Sequence, residues 1–338
     1  MMKRIRVEDC LEVKRNKIGE EEQVMYAYDG DTDWMRGHML GKGGFGSVHM
    51  AILKMNHGPR FEGCPTIMAV KSAAEISAFR HLKMEKFLLD MFRDSPYIIR
   101  CFGEEITVTA DCRLVLNVFL EFATGGTLFD LIESTKEKGL GVPMESTVRR
   151  HTRSILKGLK RIHEEGFVHC DLKLENILLV RQGNEYVAKI ADLGLTKRVG
   201  KSFVGGTRSY WSPEIVSDKI QEQPSDIWAL GCIVLKMLTG KLRWDHDVTG
   251  LGYRQARALL NGLSTQAKDF LTECFLRDPR DRPTADMLLK HPFVCELIHE
   301  NKEDNRQSEF PLTSFSGDKV DDDDSSVVSV IDISSSSG

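Results

Sequence analysis

No C-x-x-C pair occurs among the eight cysteines, which lie at 10, 64, 101, 112, 170, 232, 274 and 295. That spacing excludes zinc knuckles and dithiol redox motifs. No apolar run approaches the length of a membrane span, so no membrane association is expected. The opening MMKRIRVEDC has basic residues with no apolar core behind them and is not expected to act as a secretory signal. Scattered cysteines without such a signal fit a reducing compartment. The expected location is the cytoplasm, with the nucleus left open, since KRIR and KRNK are too short to establish nuclear import. An excess of positive charge is also missing. The net charge is −4, and residues 301–338 carry three basic and nine acidic side chains, leaving the rest slightly positive. Nothing in that balance favours nucleic-acid binding. No internal repeat is visible.

What remains is a chain of 338 residues with ordinary globular composition, 41% hydrophobic and 28% charged. Residues 1–33 are charged and weakly periodic, and residues 34 to about 293 alternate strand and helix patterns. Beyond them the chain turns polar and ends in DDDDSSVVSVIDISSSSG, a composition expected to stay disordered. GSVHMAILK, TIMAVK and LVLNVFLEF read as strands, and SAFRHLKMEKFLLDMF as a helix with Leu82, Leu89 and Phe92 on one face. From Ser146 helices dominate, with Val148, Thr152, Ile155, Leu159 and Ile162 along one stripe and Gly166 as a stop. SDIWALGCIVLKMLTG is apolar all round, so a buried helix is expected there, with Ser225 as its N-cap and Gly240 past its end.

The chemistry lies in four motifs. Gly41, Gly43 and Gly46 in GKGGFGSV precede a strand rather than a helix, which argues against a dinucleotide fingerprint. Such a turn either covers phosphates with its N–H groups or is a plain hairpin. Lys71 sits on a predicted inner strand face, where an ammonium needs a partner. Glu85, on the helical face of Leu82 and Leu89, is the expected one, and Glu75 lies too near the strand to reach back. The bland alternative is two solvated surface charges. In VHCDLKLENILLV, Asp171 can accept a hydroxyl proton, Lys173 can neutralise a transferring phosphoryl group, and Asn176 can bind a divalent cation. Asp192 in KIADLGLTKR offers a carboxylate at a strand end for the second metal position.

In this order and spacing the motifs resemble the protein kinase family over about 260 residues, from Trp34 to Phe293. The resemblance implies an α+β, bilobal fold: an antiparallel sheet plus helix C in the N-lobe, about 34–121, and a larger, mainly helical C-lobe, about 124–293. Residues 1–33 then form an extension and 294–338 an acidic, Ser-rich tail. It implies ATP and Mg²⁺ as cofactors. ATP would meet Leu40, Gly41, Lys42, Gly43, Gly44, Phe45, Gly46, Ser47 and Val48 from above. Ala69, Lys71, Glu85, the gatekeeper Leu120, the backbone of Glu121 and Ala123, and Leu178 as floor would complete its pocket. Asn176 and Asp192 would hold the metal, and Asp171 and Lys173 would carry out the transfer. By the same comparison Ser202 and Thr207 lie in the activation segment, and Arg282 pairs with Glu214 of SPE.

Lys173 together with Thr207 resembles Ser/Thr kinases. WMRGHMLGKGGFGSV, SPYIIRCFGEE, VFLEFATGGTLFDLI and HCDLKLENILL resemble plant MAP kinase kinase kinases, which implies a MAP kinase kinase as protein substrate. The competing reading is a pseudokinase scaffold, but pseudokinases usually lack the equivalents of Lys71, Asp171 or Asp192, and all three are present. Departures are Leu193 for the usual Phe, Leu174 for Pro, and GGTRSYW without the group's Pro and Met. Cys170 stands where an arginine commonly pairs with an activation-segment phosphate. Its presence leaves base, lysine and metal ligands intact and alters regulation, unless Lys197 or Arg198 takes over that pairing. In the tail, VVSV or VIDI beside the acidic run resembles a motif for the small ubiquitin-like modifier; the alternative is a solvated or phosphorylated tail.

Overall fold

A computed structural model describes residues 26–28, 32–43, 46–241 and 260–295, the first three by backbone only. Gly44, Phe45 and the tail motif lie outside the described residues. The strands are β1 (Tyr26–Tyr28), β2 (Trp34–Gly43), β3 (Gly46–Leu53), β4 (Ile67–Ala73), β5 (Cys101–Val108) and β6 (Leu114–Leu120), then β7 (Phe167–Val168), β8 (Ile177–Gln182), β9 (Glu185–Ile190) and β10 (Lys197–Arg198). The helices are α1 (Ile76–Met91), α2 (Leu128–Glu137), α3 (Glu145–Glu164), α4 (Pro213–Asp218), α5 (Gln223–Thr239), α6 (Thr265–Cys274), α7 (Ala285–Leu288) and α8 (Pro292–Cys295).

The first six strands form one sheet in the order β1-β5-β6-β4-β3-β2. Five pair antiparallel, and β1 adds a parallel edge, with Tyr26 opposite Ile106. The sheet therefore begins before Trp34, inside the segment read as an extension. At the other end Phe293 and Val294 are both buried and α8 runs to Cys295, so packing continues past 293. Among the described residues no helix is long and apolar enough to cross a membrane.

Strand alternation divides the side chains of the sheet between two cores. Met68, Val70 and Phe119 join Trp34 and Phe61 on the outer face. Ala69, Ala73, Val118 and Leu120 face the opposite way, into the core that continues through α1, α3 and α5. Lys71 lies between Ala69 and Ala73 in that alternation, which turns its stem toward α1. The helix answers with a buried stripe of Ala78, Leu82, Glu85, Leu88 and Leu89. The same period buries Val148, Thr152, Ile155, Leu159 and Ile162 of α3 completely, and Gly166, at φ 74°, follows its end.

Helix α5 is buried nearly all round, as its sequence implies, but it starts earlier than Ser225. Glu222 is the N-cap and Ser225 the third helical residue; the Glu222 carboxylate accepts the Ser225 N–H, and Ser225 Oγ accepts the Glu222 N–H at 3.2 Å. Pro224 fits the first turn, where its missing N–H costs nothing. Gly240 closes the helix at φ 68°, its N–H bonded to Lys236 O at 2.8 Å.

One buried group in α3 makes a pH prediction. Neither ring nitrogen of His151 has a hydrogen-bond partner among the described residues. Burial, then the charge of Arg150, lowers its pKa from 6.5 to about 3. Below pH 6.5 the unfolded chain takes up a proton that the folded chain refuses, so stability is full above that pH and erodes as pH falls toward 3. His151→Leu should remove this slope. Between pH 7 and 5 the wild type should lose about 2 kcal/mol more than the variant, read from urea unfolding. Parallel pH curves for the two proteins would refute it.

Candidate active site

The site forms where the inner sheet face, α1 and the loop after β7 converge. Lys71 Nζ donates to Glu85 Oε2 at 2.7 Å and to Asp192 Oδ1 at 2.8 Å. Burial opposes the charge on Lys71, but Glu85 and Asp192 reverse that and raise its pKa. Burial likewise pushes the Glu85 carboxyl up, against the Lys71 charge. Asp192 is partly buried, yet Lys71 holds its carboxyl below the usual range. A Glu85 hydrogen bond from the Leu193 N–H ties α1 to the segment after β9. Leu193 is fully buried, so the exchange for Phe keeps an apolar anchor there. Glu75 is the N-cap of α1 and takes no part in this cluster.

The second cluster surrounds Asp171. Its Oδ2 accepts Lys173 Nζ at 2.7 Å and Asn176 Nδ2 at 3.3 Å. Its Oδ1 accepts the Thr207 N–H at 2.9 Å and the Thr207 hydroxyl at 2.8 Å. Lys173 also donates to Thr207 Oγ1 at 3.1 Å, so Asp171, Lys173 and Thr207 form one unit. Asn176 Nδ2 is further bonded to Asp171 O at 2.8 Å, which leaves its Oδ1 as the atom for a cation. Asn176 and Asp192 are hard oxygen donors, the set that a small divalent ion bound with substrate phosphates requires. No cluster of three or more His, Cys, Asp or Glu among the described residues offers an alternative metal site.

Gly41, Gly43 and Gly46 lie at the paired ends of β2 and β3, with Gly43 opposite Gly46. A Cβ on Gly41 or Gly43 would meet nothing within 4 Å, so the space beside the backbone is open there. Gly46 is different: at φ 137° its Cβ would lie 2.2 Å from Ser72 O. Leu40 and Lys42 are exposed, and Ser47 and Val48 half-buried. Ala69 and Leu120 are buried and paired across β4 and β6, and Leu178 is partly buried against the main core. Glu121 is fixed by Lys189, whose Nζ reaches both carboxylate oxygens at 2.8 Å. Arg282 grips Glu214 through two nitrogens at 2.8 and 3.2 Å. Ser202 is exposed and makes no hydrogen bond among the described residues.

Other residues that shape the site carry no motif. Asp226 in α5 accepts the His169 N–H at 2.8 Å and the Cys170 N–H at 3.1 Å, bracing the loop before the base. A carboxylate in an otherwise apolar helix was a signal for this, since a buried charge needs partners. Gly206, at φ 90°, packs so closely that a Cβ there would lie 2.2 Å from Cys170 O. Cys170 is itself at φ 70°, a conformation costly for a side chain.

The protein kinase domain family matches residues 34–294. The chain belongs to the protein kinase family. The kinase is 40% identical over 291 residues to mitogen-activated protein kinase kinase kinase 20 of Arabidopsis thaliana, covering 81% of each chain. It is 36% identical to kinase kinase kinases 17 and 18 of the same plant, covering 78% of this chain in both cases and 69% and 77% of theirs. It is thus an ATP-dependent Ser/Thr kinase of the MAP kinase kinase kinase type, using a divalent metal. Nothing in these matches favours a pseudokinase.

Proposed function

We propose that this kinase transfers the γ-phosphate of Mg-ATP to a Ser or Thr hydroxyl of a MAP kinase kinase. The observation that carries the reading is the single unit of Asp171, Lys173 and Thr207 beside the Lys71–Glu85–Asp192 cluster. Asp171 takes the proton of the attacking hydroxyl, and Lys173 offsets negative charge developing next to it. Lys71, held by Glu85, orients the α and β phosphates. Asp192 and Asn176 would hold Mg²⁺, which neutralises phosphate charge and aligns the transferring group. Preorganised charge of this kind supplies most of the rate enhancement in such sites. The backbone of Glu121 and Ala123 meets the adenine, with Leu120 behind it.

The substrate class follows from the relatives' names, and a phosphoryl-transfer assay tests it. The acceptors are a panel of catalytically dead MAP kinase kinases beside casein. Selective transfer to a panel member is expected. Labelling of casein with no panel member labelled above it overturns the substrate class.

A further inference from the structure

Cys170 leaves the catalytic loop without the cation that would receive an activation-segment phosphate. The two candidates to replace it are already engaged. Arg198 lies over the Phe167 ring, 4.8 Å from its centroid. Lys197 is half-buried and donates to Lys201 O at 2.6 Å and to Glu222 Oε1 at 3.3 Å. Phosphate on Thr207 would face Asp171, since that hydroxyl is bonded to the base. Yet the segment follows a defined course, and two residues just before and at the cap of α5 hold it there.

Glu222 accepts the Gly200 N–H through both oxygens, at 3.1 and 3.3 Å, besides pairing with Lys197 and capping α5. Buried Gln221 reaches further along. Its Oε1 accepts the Gly205 N–H at 3.0 Å, and its Nε2 donates to Gly205 O at 3.2 Å and to Cys170 O at 2.9 Å. Trp211 Nε1 adds a bond to Gly205 O at 3.1 Å. Gly205 thus has both backbone groups fixed. One residue later Gly206 seats on the Cys170 carbonyl, and Thr207 then bonds the base.

We propose that Gln221 and Glu222 are positioning residues that latch the activation segment in its working course without phosphate. Glu222 supplies permanently the negative charge that a phosphate supplies in other kinases, and it does so at the positive end of a helix. Gln221 couples that anchor to the loop carrying Asp171.

The test uses full-length kinase treated with phosphatase and shown by mass spectrometry to carry no phosphate between 197 and 211. Wild type should keep its kcat. Glu222→Ala and Gln221→Ala should each lower kcat about tenfold or more, the scale of losing a hydrogen bond to a charged or buried group, with KM for ATP unchanged. Amide exchange should speed up at Gly200 in the first variant and at Gly205 in the second. Glu222→Asp, which keeps carboxylate and cap, should recover most of the rate. Loss of wild-type activity on dephosphorylation would overturn the proposal, as would variants with unchanged kcat. Loss of kcat together with protection throughout the domain would assign the pair to stability and overturn it equally.

Discussion

Asp171→Asn should lower kcat by about 10²–10⁴-fold, the usual contribution of a positioned general base, while ATP binding stays intact. The reason is the allocation of its oxygens. Oδ1 and Oδ2 together accept from Thr207, Lys173 and Asn176 within 2.7–3.3 Å. These contacts orient the carboxylate without supplying a competing base. An asparagine amide is nearly the same shape but turns a donor toward the Lys173 ammonium or the Thr207 N–H and cannot take a proton. In the proposed site ATP meets the Lys71 cluster rather than Asp171, so nucleotide affinity, read by a fluorescent ATP analogue, should barely move. Residual transfer above a tenth of wild type would mean that another group accepts the proton.

Arg282→Ala should cost about 3–5 kcal/mol of stability, the range for breaking a buried ion pair by removing one partner. Arg282 is fully buried at its side chain and Glu214 nearly so. Besides Glu214, the guanidinium donates to Leu276 O at 2.8 Å and Pro224 O at 2.6 Å, and it lies 5.2 Å from the Trp228 ring centroid. Removing it leaves the buried carboxylate with the Ser225 hydroxyl at 3.3 Å in place of its charged partner, and takes a donor from each of two carbonyls. Arg282→Lys should rescue little, because an ammonium cannot serve both oxygens of Glu214 and both carbonyls in one plane. The double variant Arg282→Met with Glu214→Leu should recover a substantial part, since no stranded charge remains. Thermal melting of the three proteins checks this. Equal destabilisation by the single and double changes would show that packing, not the orphaned charge, sets the cost.

What the sequence made legible depended on how local each cause was. The Lys71–Glu85 pair could be read because period two placed the lysine inward and helical period placed the glutamate on the facing stripe. Asp171, Lys173 and Asn176 sit within one short loop, so their spacing nearly defines their meeting. The start of α5 was misread because Ser before an apolar run is the commonest cap pattern. The deciding feature was Pro224, which is accepted only in a first turn and moves the start upstream. Strand β1 was hidden in a charged, weakly periodic segment whose pairing is with β5, some eighty residues away. Gln221 and Glu222 gave no signal, since polar residues ahead of a helix are ordinary. Their role depends on tertiary approach of Gly200, Gly205 and Cys170, which no local spacing encodes.

The fit of Gly206 against the catalytic loop has a genetic consequence. Every other amino acid carries a Cβ, and there it would sit 2.2 Å from the Cys170 carbonyl, which Gln221 holds in place while Asp226 holds the N–H of the same residue. The carbonyl cannot swing aside without dragging Asp171. Even Gly206→Ala is therefore expected to be a loss-of-function allele, although it adds no charge and touches none of the residues proposed to hold metal or ATP. Such an allele should accumulate as folded, nucleotide-binding protein that occupies its partners and transfers nothing.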